Sequence, residues 1–113
     1  VEPQKAEITY DDFQKMDMRV GTILEAEIVP KTKKLLKFLV DTGIDTRTIV
    51  SGVAEYFEPE DLVGKQVTVL VNLAPRKIRG VESQGMLLFA EDASGKLHRM
   101  HPAEDVEPGS MVN

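Results

Sequence analysis

The alternation across residues 66–72 limits most sharply what this chain can become. Val67, Val69 and Val71 fall on one side of an extended segment, with Gln66, Thr68, Leu70 and Asn72 on the other. That period of two belongs to a strand with one face in a core. β-Branched residues at each inward position reinforce it, because they fit a pleated surface and crowd a helix.

Four more segments carry strand patterns. Residues 18–29 set Val20, Leu24, Ala26 and Ile28 against Arg19, Glu25 and Glu27, and Gly21 predicts the bend or bulge a long curling strand needs. Residues 35–41 turn Leu36, Phe38 and Val40 inward. Thr42-Gly43-Ile44-Asp45 reverses the chain into residues 46–53, which end in Ser51-Gly52. Residues 86–90 make the fifth strand, and Ala93-Ser94-Gly95 turns into residues 96–100.

Helical signals are confined to two short stretches. Thr9 is placed to cap residues 9–16, Asp12 completes a capping box, and Tyr10, Phe13 and Met16 share a face. Pro59-Glu60-Asp61-Leu62 puts proline at a first helical position with acids in the first turn, and Gly64 stops it. Residues 1–7 read as a linker or disordered arm, and 8–113 as one domain. The predicted fold is all-β: a five-stranded OB-fold barrel with a short N-terminal helix, a small helix between strands three and four, and a C-terminal β extension. Such barrels bind oligonucleotides across one face and its flanking loops.

Between the fourth and fifth strands, Arg76, Lys77 and Arg79 are packed between Pro75 and Gly80. Proline cannot donate to a strand ladder and glycine reaches angles closed to other residues, so a shaped loop is expected. Guanidinium forks, an ammonium and the small polar groups of Ser83-Gln84-Gly85 make a surface that phosphate and ribose oxygens satisfy. The net charge of −5 argues against a polyanion partner until its distribution is considered. Half of the 14 basic residues lie in two segments, Lys31, Lys33, Lys34 and Lys37 in one and the Arg76 cluster in the other. The alternative is two solvated loops with no common face.

Other chemistry is not encoded. With no cysteine there is no disulfide framework and no thiolate, which fits a reducing, cytoplasmic compartment. No apolar run approaches the roughly 20 residues that span a bilayer, so no membrane partner is expected. His98 and His101 lack companion ligands, and no metal or other cofactor is expected. Ser51 has no nucleophile motif and Glu104-Asp105 reads as a solvated turn, so no catalytic residue is assigned. The opening Val1, in place of Met, reads as the start of a piece cut from a longer protein.

Six motifs in order carry a resemblance: Asp17-Met18-Arg19-Val20-Gly21; Lys34-Leu35 with Val40-Asp41-Thr42-Gly43; Ile49-Val50-Ser51-Gly52-Val53-Ala54; Pro59-Glu60-Asp61-Leu62-Val63-Gly64-Lys65; Asn72-Leu73-Ala74-Pro75-Arg76-Lys77-Ile78-Arg79-Gly80; and Ser83-Gln84-Gly85-Met86. Together they resemble the tRNA-binding domain found free-standing in bacteria and at the C-terminus of many methionyl-tRNA synthetases. Val29-Pro30-Lys31-Thr32-Lys33-Lys34-Leu35 departs from the His-Pro-x-Ala-Asp-Lys-Leu loop of many members and is more basic.

The resemblance implies a non-catalytic, homodimeric domain that binds tRNA by shape, appended to the catalytic body of a synthetase. Arg76, Lys77, Arg79, Lys31, Lys33 and Lys34 would meet phosphates, Asn72 and Ser83 sugar or backbone, and Met86 would shape the surface. For Asn72 the plainer role is capping a strand end, for Ser83 bonding its own loop, and for Met86 a place in the core. Tyr10, Phe13, Met16, Val106, Met111 and Val112 are candidates for the dimer interface. A protein-interaction module, for dimerisation alone or peptide binding as in a related secretion chaperone, is the competing class.

Overall fold

The computed structural model describes all 113 residues. The long strand β1 (Met18–Ile28) is flanked by two partners, β2 (Leu36–Asp41) and β4 (Gln66–Leu70), both antiparallel to it. Beyond β2 lies β3 (Thr46–Ser51), so the sheet begins β3-β2-β1-β4. This sheet curls into a nearly closed barrel around Ile23, Leu36, Phe38, Val40, Ile49, Val67 and Val69, each 1% exposed or less. The inward residues expected on β2 and β4 are those in the core, and the OB-like barrel is the architecture observed.

On β1 the expected phase holds only in part. Ile23 lies opposite Val40 and Glu25 opposite Leu39, which leaves Leu24 as a bulged residue with no partner. One extra residue reverses the alternation. Before the bulge Ile23 is in the core and Leu24, expected inward, is 43% exposed, whereas beyond it Ala26 packs against the core as expected. Ile28, also expected inward, ends the strand at 53% exposed. Gly21 is not the bulge. A Cβ at Gly21 would lie 2.8 Å from Val40 Cγ1 and 2.8 Å from Val69 Cγ2, so the hydrogen there lets β2 and β4 side chains meet across β1.

The N-terminal helix α1 (Tyr10–Gln14) is shorter than expected, but its capping box is present. Thr9 Oγ1 accepts the Asp12 N–H at 3.1 Å, and Asp12 Oδ2 accepts the Thr9 N–H at 3.2 Å. In α2 (Pro59–Leu62) the buried Leu62 plugs the barrel, and Gly64 leaves the helix at φ +85°. Residues 1–8 form no helix or strand.

After β4 come two short strands, β5 (Arg76–Ile78) and β6 (Val81–Ser83), and then the expected fifth strand, which is split. Its first half, β7 (Met86–Leu87), pairs with β4, and its second half, β8 (Phe89–Glu91), leaves to pair with β9 (Leu97–Arg99). This extension explains why Gln66 and Thr68, outward by pattern, are buried. The Thr68 N–H donates to Met100 O at 2.8 Å, and Gln66 Nε2 donates to Val106 O at 2.6 Å. Gln66 Oε1 accepts the Val106 N–H at 3.0 Å. The tail then runs along β1, where Val20 N–H donates to Ser110 O at 2.9 Å and Val112 N–H to Met18 O at 2.9 Å. Polar residues on the outer face of β4 thus stitch the extension to the barrel.

Candidate nucleic-acid interface

The expected shaped loop is a β-hairpin. Arg76 pairs with Ser83, Lys77 with Glu82 and Ile78 with Val81, across a two-residue turn of Arg79 and Gly80. Both turn residues are left-handed, at φ 51° and 80°. Successive positive φ angles match the twist of the strands they join, and glycine at the second position removes half the steric cost. Strand alternation turns Arg76 and Ile78 to the barrel side.

Side chains and one backbone bond, rather than a continuous ladder, hold this hairpin to the barrel. Edge strand β3 presents its N–H groups to residues 83 and 84. Ser83 Oγ accepts the Val50 N–H at 3.0 Å and donates to Gly85 O at 3.2 Å. Gln84 Oε1 accepts the Thr48 N–H at 3.1 Å, and the Gln84 N–H donates to Thr48 O at 2.9 Å. Arg47 Nη1 spans the same seam, donating to Val71 O at 2.7 Å and Gln84 O at 3.0 Å. Its other guanidinium nitrogens hold Asp45 at 2.9 and 2.8 Å. That guanidinium, with a hydroxyl bond from Thr42, keeps the Asp45 carboxyl below its ordinary pKa. Arg47 carried no sequence signal for this seam, since the two carbonyls it spans there lie distant in the chain.

The loop between β1 and β2 is fixed in a similar way. Val29 O accepts the Thr32 N–H at 3.2 Å and the Thr32 hydroxyl at 2.8 Å, while Lys31 takes a left-handed φ of 65°. Lys34 O accepts the Ala54 N–H at 3.0 Å.

These two constructions bring the basic segments together. Lys31, Lys33, Lys34, Arg76, Lys77 and Arg79 line one open groove of about 960 Å³, with Thr32, Leu35 and Ile78. None of the six is paired with a carboxylate. Lys37 differs: it stands on β2 and bonds Glu27 at 2.9 Å, away from the groove. Unpaired cations converging on one concave surface give a local positive field on an acidic chain.

Of the remaining candidate contacts, Ser83 and Asn72 are engaged in the fold. Ser83 is 4% exposed, and its hydroxyl is spent on the seam. Asn72 Oδ1 accepts the Asp17 N–H at 2.9 Å and Nδ2 donates to Lys15 O at 2.6 Å, so it ties the α1–β1 junction to the end of β4. Met86 is 42% exposed and lines a second cleft, next to the groove. His98 bonds Asp92 Oδ2 at 2.8 Å and His101 bonds the Pro102 carbonyl, so the two rings are separately engaged. Tyr10, Met16 and Met111 are exposed, and Phe13 and Val112 half-buried, around the start of β1; exposed Val106 lies beside β4.

Known proteins match both the sequence and the fold. The family described as "Putative tRNA binding domain" matches residues 18–111. The methionine–tRNA ligase of Christiangramia forsetii is 61% identical over 99% of this chain, and that of Bacteroides fragilis is 54% identical over 97%. The chain spans only 16% of the length of each and matches their C-terminal region, outside the catalytic domain. Among solved structures, a MetRS-related protein from Pyrococcus horikoshii is 44% identical with a TM-score of 0.90, over 96% of this chain and 99% of that one. The chaperone CsaA from Bacillus anthracis is 25% identical with a TM-score of 0.86, over 96% of this chain and 100% of that one. The chain belongs to the tRNA-binding domain family.

Proposed function

We propose that this chain is a non-catalytic tRNA-binding and dimerisation domain at the C-terminus of a cytoplasmic methionine–tRNA ligase. One observation carries the reading: six cations from two distant segments line one groove without an acidic partner. Arg76, Lys77 and Arg79 on the hairpin and Lys31, Lys33 and Lys34 opposite take phosphates of the folded RNA backbone. Ser83 and Asn72 act as positioning residues, the first holding the hairpin and the second the end of β4.

No aromatic side chain lines the groove. Single-strand binders need stacking platforms, whereas folded RNA offers phosphates and 2′-hydroxyls in fixed array. The domain therefore reads shape and serves different tRNA species alike. The homodimer is supported by the exposed apolar side chains of Tyr10, Met16 and Met111 around the start of β1. The competing protein-interaction reading draws on the likeness to CsaA, a chaperone by name, but leaves the convergent cations unexplained.

The test is an anisotropy titration of this chain with several unrelated tRNAs and an unstructured single strand. Similar affinity for every folded tRNA, with little for the single strand, is expected. No binding to any tRNA at low salt would leave the protein-interaction reading in its place.

A further inference from the structure

We propose that the cleft beside the basic groove receives one unpaired nucleobase of the bound RNA. The inference rests on the tRNA reading above and adds to it a site for a base rather than a phosphate.

The cleft measures about 350 Å³, near the lower end of the roughly 300–1,000 Å³ typical of small-ligand sites. Leu35, Leu73, Ile78 and Met86 give it apolar walls, and Gly52 leaves one side open. It is continuous with the groove, because Leu35, Arg76 and Ile78 line both. A nucleotide whose phosphate lies among the cations therefore has its base within reach of the cleft. No carboxylate lines it, so nothing repels an anionic chain at its mouth.

The lining fits a flat heterocycle. Apolar walls cover its faces, and the Met86 thioether is polarizable enough to rest against an aromatic ring. The Arg76 guanidinium, at the boundary, supplies a plane for stacking and donors for a base edge. With no aromatic side chain in the cleft, there is no platform for a run of bases. One extruded base is the occupant that matches both the apolar cleft and the adjoining cations. An apolar peptide side chain would use the first and ignore the second.

Gly52 provides the test. A Cβ built there meets nothing closer than Leu35 Cδ2 at 4.0 Å, and its backbone is not left-handed. Gly52→Leu therefore fills the cleft while leaving all six groove cations. The probes are an RNA duplex carrying one bulged 2-aminopurine nucleotide and the same duplex without the bulge. The wild-type chain is expected to bind the bulged duplex about fivefold more tightly, within the range for one thioether–ring contact, with a change in 2-aminopurine fluorescence. Gly52→Leu should abolish both the preference and the fluorescence change, with plain-duplex affinity unchanged. Leu73→Ala, at the cleft wall, provides a second variant that should reduce the preference if Gly52→Leu fails to fold. Equal wild-type affinity for the two duplexes, or a preference that survives cleft substitution, would overturn the inference alone. Failure of the wild-type chain to bind either duplex or any tRNA would instead sink the tRNA reading.

Discussion

The Ser83 hydroxyl accepts the backbone N–H of Val50 at 3.0 Å, so a side chain takes the place of a ladder bond where the barrel meets its hairpin. Replacing Ser83 by Ala strands that buried N–H. Loss of about 1–3 kcal/mol in stability is expected from an unsatisfied buried donor, read by urea denaturation. tRNA affinity should fall as well, because the seam fixes the hairpin's orientation. A variant with wild-type stability would show that Ser83 contributes nothing to closure.

Gly21 and Gly52 make a matched pair. Alanine at 21 drives a methyl to 2.8 Å from two core side chains, whereas alanine at 52 meets only Leu35 at 4.0 Å. Gly21→Ala should cost about 1–3 kcal/mol by overpacking, and Gly52→Ala should stay within about 0.5 kcal/mol of wild type. Thermal unfolding of the two variants side by side checks the contrast.

Much of this architecture is legible in the sequence, and what is not has a definite physical source. The inward sets of β2 and β4 follow from alternation, and the capping box of α1 from Thr9 and Asp12. The phase of β1 does not, because the bulge at Leu24 depends on how many residues oppose it on β2, a tertiary fact. Burial of Gln66 and Thr68 depends on the distant tail. The basic residues of the groove were readable as two clusters, but their meeting was not. It depends on a hairpin with an Arg79-Gly80 turn and on a seam built from Ser83, Gln84 and Arg47. The Ser-x-Gly motif is read more fully as closure than as contact: a Cβ at Gly85 would lie 2.8 Å from Leu70 O.

Acid sensitivity should come from two hydrogen-bonded carboxyls. The bond from His98, followed by that from Ser94, holds Asp92 well below the ordinary carboxylate range, and Arg47 first lowers Asp45. A carboxyl whose folded pKa is depressed binds fewer protons folded than unfolded. Its contribution is therefore complete above the unfolded value of about 3.9 and is lost as pH falls through the lower folded value. Carboxyl-carbon NMR titration should give midpoints below the unfolded value for both groups. In Arg47→Ala the Asp45 midpoint should move up toward it, with Asp92 unchanged.

The apolar residues around the start of β1 should support self-association. Sedimentation of this chain is expected to give a dimer whose dissociation rises at least tenfold in a Tyr10→Asp, Met111→Asp double variant, since each carboxylate would be buried without a partner. A wild-type mass equal to the monomer at every concentration would reject the dimer.

The convergence of the two basic segments is tested most directly by the salt dependence of tRNA affinity. If about four to six phosphates are held, the slope of log affinity against log salt is about −3 to −5. Substituting Arg76, Lys77 and Arg79 together by alanine should make that slope shallower by about 2 to 3, across tRNA species alike. Lys37→Ala, outside the groove and paired with Glu27, should leave it unchanged. A slope near zero for the wild-type chain, or an identical slope in the triple variant, would contradict the account.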